Sequence, residues 1–391
     1  MKWFSRFGAI LVSGVCLCVA LSCTTGWERT ASRTVPASTD EREYGPESAG
    51  AEESWSDGAA NRDLMLFGQG NPARDVAFQA KAATNLQQHT PPSEGADFDP
   101  ALDASASTIV FASTRHSPHS HLYTKPAKGA TITQISDENA SDAQPVYSPD
   151  GKQIAFASDR AGHWDIWLLD ADGRNPRQVT NNPMPELHPS WSPDGKQIVY
   201  CRVHPQEGQG ELWICDVDNP GVKRLIGEGL FPSWSPKGDA IAYQRARARG
   251  SRWFSIWTIQ IQENEALFPT EVASSTDAAF IAPCWSPDGT RIAFAWVHSP
   301  DTRNEAGQAV RRGRSDIGVV DVDGRGLQRL TSGTGEHYSP SWSSDGRIFF
   351  TARRNKTETI WSLRPFRPSG VETPPALTGS RKAAQVIETV D

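Results

Sequence analysis

The sequence predicts an all-β protein: a six-bladed β-propeller of four-stranded antiparallel blades, preceded by a secretion signal and a disordered tether. One phrase recurs along the chain. "HPSWSPDGKQIVYCR" at 188–202 has close copies that begin at Gln144, Phe231, Ala282 and Ser339. The composition agrees, because Gly 32 and Pro 28 against only 3 Met describe a turn-dense, strand-rich chain.

The copies keep a regular period when they are aligned on one proline. With a degenerate first copy included, the aligned positions are Pro100, Pro145, Pro189, Pro232, Pro283 and Pro340. Their spacings are 45, 44, 43, 51 and 57 residues. A period near 43 that lengthens only where loops grow is typical of a propeller blade.

Each repeat contains four strand-sized pieces. The first ends in an aromatic residue in five of the six copies and leads into "SPDG" or a variant of it. Serine suits the first corner of a type I turn, proline presets φ at the second, and glycine closes the fourth. Four short strands cannot bury both faces alone, so neighbouring blades must stack, and a closed ring leaves no exposed end.

The last blade needs a fourth strand, and two segments resemble the fourth strand "RQVT" of another repeat. "PPALTG" at 374–379 could supply the strand in sequence order, and "NLQQHT" at 85–90 could supply it from the front as a clasp. The sequence leaves both alternatives open.

The first 23 residues have the layout of a secretory signal. Lys2 and Arg6 precede an apolar run from Phe7 to Leu21, which is short for a membrane span. The run ends in "ALSC", which resembles the lipobox of bacterial lipoproteins, so Cys23 is the expected lipidation site. By the same resemblance, Thr24 favours an outer-membrane lipoprotein that faces the periplasm. Without lipidation the product would be secreted or periplasmic.

These features divide the chain into four parts. We expect a lipoprotein signal peptide at 1–23, a flexible low-complexity tether at 24–78, the propeller at 79–380 and a C-terminal tail at 381–391. The tether is rich in Ser, Thr, Ala, Gly and Glu and has no hydrophobic periodicity. A tether is the expected companion of a membrane anchor.

The phrase "PSWSPDGKQIVY … ELWICDVD … KRL" resembles the TolB-type propeller repeat, over roughly residues 80 to 380. TolB itself carries an α/β domain ahead of its propeller, whereas the tether occupies that place here. The resemblance therefore implies a periplasmic interaction platform: a non-catalytic propeller, anchored to the cell envelope, that binds a protein or peptide partner through the loop face around its channel mouth.

The expected partners follow from charge and from the anchor. A formal net charge of −7 argues against a nucleic-acid binder. Contact with the membrane is expected through the lipid anchor only, and the protein is expected to be a monomer. We expect no cofactor.

One candidate site is the ring of residues just before the repeat prolines, which should rim the axial channel. This mixed set suits the gripping of an extended peptide and consists of Asp99, Gln144, His188, Phe231, Ala282 and Ser339. Ordinary packing at the start of each strand is the alternative explanation.

A second candidate site is a basic loop face at the end of the blades opposite the "SPDG" turns. His163, His204 and His298 fall there too, while the turns collect aspartates. Such a field would attract an anionic partner. The simpler explanation is that arginine solvates long loops. The arginines are Arg245, Arg247, Arg249, Arg311, Arg312 and Arg314.

An enzyme is the alternative function. No nucleophile elbow, H-E-x-x-H helix or phosphate loop occurs. Oligogalacturonate lyases have similar repeats and bind a metal through channel histidines, but here the ring contains only His188, with His337 nearby. "HSPHSH" at 116–121 is better explained as a polar loop than as a metal site, so no metal is expected.

Cys201 and Cys215 fall on consecutive predicted strands of one repeat. A cross-strand disulfide and two buried free thiols are both open.

Overall fold

The computed structural model describes residues 85–92, 95–136, 139–204, 209–246, 254–298, 314–332, 335–354 and 357–365. Within these ranges every regular element is a β-strand, which confirms the predicted all-β class. No helix in this part of the chain is long and apolar enough to cross a membrane. The signal, the tether and the tail lie outside the described residues.

Four of the sheets are four-stranded and antiparallel, each with its strands in chain order. The first contains β2 (Asp97–Leu102), β3 (Thr108–Ser113), β4 (His121–Pro126) and β5 (Thr133–Gln134). The second contains β6 (Asp142–Tyr147), β7 (Gln153–Ser158), β8 (Asp165–Asp170) and β9 (Arg177–Gln178). The third contains β10 (Glu186–Trp191), β11 (Gln197–His204), β12 (Gln209–Asp216) and β13 (Lys223–Glu228). The fourth contains β14 (Leu230–Trp234), β15 (Ala240–Ala246), β16 (Phe254–Gln262) and β17 (Glu265–Ala273).

The fifth sheet has eight strands and divides into two antiparallel groups of four. A single parallel bridge, Ser315 to Glu336, joins the groups. One group contains β18 (Ala278–Trp285), β19 (Arg291–His298), β20 (Ser315–Asp321) and β21 (Gln328–Arg329). The other contains β22 (Glu336–Trp342), β23 (Ile348–Arg354), β24 (Thr357–Leu363) and β1 (Gln87–Gln88).

The last group is completed by the front of the propeller segment. Gln87 pairs with Ser362 and Gln88 pairs with Trp361, in antiparallel register. The segment 85–90 therefore supplies the fourth strand. The competing segment, 374–379, lies outside the described residues.

The "SPDG" turns have the predicted chemistry. In the turn at 148–151, the Gly151 N–H donates to the carbonyl of Ser148 over 2.9 Å, and Gly151 has a φ of 71°. The Ser148 hydroxyl accepts the Gln153 N–H at 3.0 Å and so ties the turn to the next strand. Each copy thus reverses the chain at the same end of its group.

The hydrophobic core lies between neighbouring groups rather than inside any one of them. Phe98 and Phe156, for example, share a cluster that joins the first and second sheets. The last group packs back on the first, because Phe349 and Ile360 share a cluster with Phe111. The groups therefore close into a ring, as a stack of sheets with two apolar faces must.

The structure decides the cysteine question in favour of thiols. Cys201 pairs with Leu212 and Cys215 pairs with Ile198, so the two residues are not cross-strand partners. Both are free and buried. Burial raises the pKa of each thiol to about 12, which keeps both protonated.

Candidate functional site

All six first strands carry the same backbone irregularity at the residue before the repeat proline. The pairing with the second strand shifts register there, as between Leu187 and Ser190. The residue before the proline adopts a left-handed φ, which costs a non-glycine residue about 1–2 kcal/mol and is further disfavoured before proline. We call these residues the inner ring: Asp99 (51°), Gln144 (56°), His188 (57°), Phe231 (53°), Ala282 (52°) and Ser339 (49°).

The inner ring lies at one end of a central cavity of about 470 Å³. The cavity lining comes from the six first strands and the turns that follow them, so the other end of the cavity lies at the "SPDG" turns. Small side chains two residues beyond the inner ring form a middle ring: Ala101, Val146, Ser190, Ser233, Cys284 and Ser341. The structure thus brings the predicted ring together around one cavity and places it at the end away from the turns.

Hydrogen bonds connect neighbouring members of the inner ring. The Gln144 side chain accepts the His188 backbone N–H through Oε1 at 2.8 Å, and its Nε2 lies 3.0 Å from His188 Nε2. The Ser339 hydroxyl donates to Asp99 Oδ1 over 2.6 Å. The Asp99 backbone N–H donates to the Thr351 hydroxyl over 3.1 Å. These bonds fix the side chains that face the cavity.

His188 is held as a neutral imidazole. Because Gln144 accepts through Oε1, its amide nitrogen donates to His188 Nε2, and the ring proton therefore sits on Nδ1, 3.4 Å from Cys201 Sγ. The ring also packs on Phe231 with centroids 3.6 Å apart. Burial lowers the pKa of His188 to about 3. Both ring nitrogens are engaged, so the side chain serves packing and positioning.

Asp99 carries the charge at the inner end of the cavity. Burial raises the pKa of Asp99 to about 6, the nearby Glu358 carboxylate adds to the rise, and the hydrogen bond from Ser339 opposes it. The second acid in the lining, Asp103, lies toward the turn end and accepts the backbone N–H groups of Ser107 and Thr108. No lysine or arginine is among the described residues that line the cavity.

The predicted basic loop face does not reach this cavity in the described part of the chain. Arg245 is the last residue but one of the second strand of the fourth sheet, where it stacks on Trp257 at 5.3 Å and lies 3.9 Å from Glu228. Arg314 precedes β20 and lies 3.5 Å from Asp316. Cys23 and the other predicted arginines, Arg247, Arg249, Arg311 and Arg312, lie outside the described residues.

The sequence reasoning missed a repeated buried ion pair at the end of the sheets away from the turns. The first residue of a first strand pairs with an arginine near the end of the second strand or just after it, as in Asp142 with Arg160 at 2.9 Å. The Arg160 guanidinium also covers Trp167 at 4.9 Å. The equivalent pairs are Asp97–Arg115 at 2.7 Å and Glu186–Arg202 at 2.8 Å. The available signal was an acid two residues before three of the six inner-ring positions, with an arginine 16 or 18 residues after each acid.

Histidines at the same end also pair with carboxylates. His163 Nδ1 lies 2.7 Å from Asp165, His204 Nε2 lies 3.1 Å from Glu211, and His298 Nε2 lies 2.9 Å from Asp316. Within the described ranges, no three His, Cys, Asp or Glu side chains converge as metal ligands would. In that part of the chain, Arg245, Arg314 and these three histidines therefore already have carboxylate partners.

A ring of four-stranded antiparallel sheets around a central cavity defines a β-propeller. A model of the TolB beta propeller domain matches residues 54–262 and, in an overlapping match, 163–296. The first match alone spans more than half of the chain, so the chain belongs to the TolB β-propeller family.

Solved structures share the fold at low identity. A protein from Agrobacterium tumefaciens assigned as TolB is 20% identical with a TM-score of 0.51, over 68% of this chain and 89% of that one. A gluconolactonase from Xanthomonas campestris is 14% identical with a TM-score of 0.52, over 71% and 89%. An oligogalacturonate lyase from Vibrio parahaemolyticus is 11% identical with a TM-score of 0.49, over 73% and 96%. The first two likenesses concern the fold alone, and the third carries no argument.

Proposed function

We propose that this protein is a non-catalytic binding scaffold that takes an extended peptide segment of an envelope partner into its central cavity. The observation that carries the proposal is the inner ring, six fixed and chemically different side chains at the end of one cavity. Membership of the TolB propeller family supports it. A narrow cavity with a few placed polar groups is the usual form of a specific binding site.

We further propose that each four-stranded group is one blade of a six-bladed propeller. The eight-stranded sheet then counts as two blades that touch at one bridge. In this arrangement β1 closes the last blade as a clasp, which makes ring closure depend on residues near the N-terminal end of the propeller segment.

We also propose that the protein faces the periplasm as an outer-membrane lipoprotein, with Cys23 as the acylated residue. One acyl chain alone binds a membrane marginally, so firm anchoring needs several chains. Incorporation of labelled palmitate into the wild type, but not into Cys23→Ser, is the expected result. A soluble, unlabelled wild-type protein would show that the signal is cleaved without lipidation.

A metal-dependent lyase remains the alternative. It would need His188 as a ligand, yet the Gln144 amide already occupies the Nε2 lone pair, and that bond would have to break first. Elemental analysis of purified protein separates the two functions. The scaffold predicts no stoichiometric transition metal, whereas the lyase predicts one bound ion and turnover that disappears in His188→Gln.

Site-specific photo-crosslinking in cells tests the scaffold directly. A photoreactive residue in place of Ser341, which lines the cavity, should give a discrete crosslinked partner. The same residue in place of Leu225, 53% exposed on an outer strand, serves as the matched control and should not. Equal crosslinking from both positions, or none from any middle-ring position, would refute binding in the cavity.

A further inference from the structure

We propose that the inner ring recognises a primary ammonium group of the bound peptide, with the Asp99 carboxylate as its counter-ion. The inference rests on the proposed function, since it assigns the chemistry of the group that enters the same cavity. The ammonium can be a peptide N-terminus or a lysine side chain, and the experiment below separates the two.

The inner ring has a polar side and an apolar side. Asp99 is flanked by Ser339 and Gln144, the members contributed by the sheets on either side of it. Across the ring lie Phe231 and Ala282, with no side-chain polar atom to offer. An alkylammonium has the matching shape: a charged head for the polar side, and methylene or Cα carbons that can lie against the apolar side.

Hydrogen bonding favours a donor-only ligand. An ammonium brings three N–H donors and no acceptor. Asp99 offers carboxylate oxygens, and Gln144 offers Oε1, which already accepts the His188 N–H and retains a second lone pair. The Ser339 hydroxyl donates to Asp99 and so orients the carboxylate. A carboxylate ligand would instead meet these acceptors and the Asp99 charge.

The distribution of charge around Asp99 also favours a cationic ligand. Asp97, Asp142 and Glu186 are buried acids, and each has its own arginine within 2.9 Å. Asp99 forms no ion pair with a lysine or arginine among the described residues, and none lines its cavity. Asp99 accepts hydrogen bonds from the Ser339 hydroxyl and the Gln144 backbone N–H but has no cation partner in the described part of the chain, so an incoming ammonium adds a charge interaction that those paired acids already have.

The route to Asp99 restricts the shape of the ligand. From His188 to Pro193 at the turn end the strand advances five residues, roughly 16 Å at about 3.3 Å per residue. Along that path the middle ring presents only small side chains, of which Val146 is the largest. A flat protein surface cannot reach the inner ring by this route, whereas a chain end or an extended segment can.

The pH dependence follows from the protonation state of Asp99. Its raised pKa, about 6, leaves the carboxylate charged at pH 7.5 and largely protonated at pH 5. The titratable groups that face it are Glu358 on β24 and Tyr338 on β22, near Arg353 on β23, while His188 is neutral over this range. An ammonium ligand should therefore bind more tightly at pH 7.5, with affinity falling as the pH passes below 6.

The test uses the full-length chain purified in detergent and three labelled alanine-rich hexapeptides. The first has a free N-terminus and no lysine, the second is acetylated and has one central lysine, and the third is acetylated and has norleucine in place of that lysine. Fluorescence anisotropy at pH 7.5 should show binding of the first, the second or both, and at least tenfold weaker binding of the third. The first two peptides identify which amine enters.

Two variants assign the binding to the inner ring. Asp99→Asn preserves the acceptor for Ser339 and should weaken the amine peptide at least tenfold, and it should abolish the loss of affinity between pH 7.5 and pH 5. Asp172→Asn, which changes an exposed acid outside the cavity lining, is the matched control and should stay within threefold. Ala282→Lys places an ammonium in the ring itself and should block binding while the β-sheet circular dichroism is retained.

Several results would overturn the assignment: equal binding of the norleucine peptide, an unchanged affinity in Asp99→Asn, or no binding of either amine peptide at millimolar concentration. The failure of this inference is distinguishable from failure of the proposed function. If crosslinking from position 341 persists at full yield in an Asp99→Asn background, the ammonium assignment is refuted and the proposed scaffold function stands. If no cavity position gives a crosslink, both the ammonium assignment and the scaffold function are refuted.

Discussion

Removal of the arginine from one buried ion pair should destabilise the propeller far more than removal of an exposed one. The Arg160 side chain is 7% exposed and its partner Asp142 is 0% exposed. In Arg160→Met the methionine fills the space, but the Asp142 carboxylate stays buried and keeps the Ser136 hydroxyl as its one hydrogen-bond donor within the described residues. An uncompensated buried charge of this kind costs about 3–5 kcal/mol.

Equilibrium urea unfolding, followed by tryptophan fluorescence, gives the measurement. With an m value of about 3 kcal/mol/M, the midpoint of Arg160→Met should fall by about 1–1.7 M. Arg174→Met in the same sheet is the matched control. Its side chain is 80% exposed and lies 3.7 Å from Asp172, so its loss should cost under about 0.5 kcal/mol.

A double-mutant cycle separates pairing from packing. Asp142→Asn alone leaves the buried guanidinium without its counter-ion, and the combination with Arg160→Met should cost less than the sum of the two by more than about 1 kcal/mol. A loss in Arg160→Met no larger than that in Arg174→Met would refute the reasoning. It would mean that the buried Asp142 carboxylate does not need the arginine for charge balance.

Three further predictions concern the cavity and the cysteines. Burial lowers the pKa of His188 to about 3, so protonation of His188 opposes folding. The stability that the neutral imidazole contributes is complete above about pH 6.5 and is lost as the pH falls toward 3. In urea unfolding between pH 7 and pH 4.5, the free energy of unfolding of His188→Gln should therefore depend less on pH than that of the wild type. Ala282 has a φ of 52°, so Ala282→Gly should leave the free energy of unfolding unchanged or raise it by up to about 1 kcal/mol. Ala279→Gly in the same strand should lower it by about 1 kcal/mol. Equal losses in the two variants would contradict the strain argument. Cys201 and Cys215 should react with a maleimide only after unfolding, and a melting temperature that falls on reduction would instead indicate a disulfide.

The repeat pattern predicts much of the fold because turn residues and strand alternation act locally along the chain. The "SPDG" turns and the alternation around them set the strand positions, and the excess of apolar positions over what four strands can bury implies stacking. The choice between residues 85–90 and 374–379 for the last strand could not be read in this way. Two-residue pairings such as Gln87 with Ser362 depend on long-range geometry and leave almost no trace in sequence.

The candidate site was only partly predictable. The position before each repeat proline marks the ring, but the rule that such residues adopt extended conformations points away from the left-handed φ they have. The bulge that imposes it is a property of strand pairing and closure. Similarly, Arg160 looks like one more surface arginine until its distance to Asp142 is known, because nothing local to either residue reveals that both are buried.

The uniform backbone and the varied side chains of the inner ring separate architecture from specificity. If the left-handed conformation existed to serve ligand chemistry, it would be needed only where the side chain is functional. It occurs equally at Ala282, which has no functional group, and at Phe231. The strain is therefore a cost of bringing six bulged strands around one axis, and it directs one side chain from each toward the cavity. The fold does not dictate the identity of those side chains. Selectivity for a ligand can therefore be set by Asp99, Gln144 and Ser339. This is why the proposed ammonium site depends on three neighbouring residues and not on the ring as a whole.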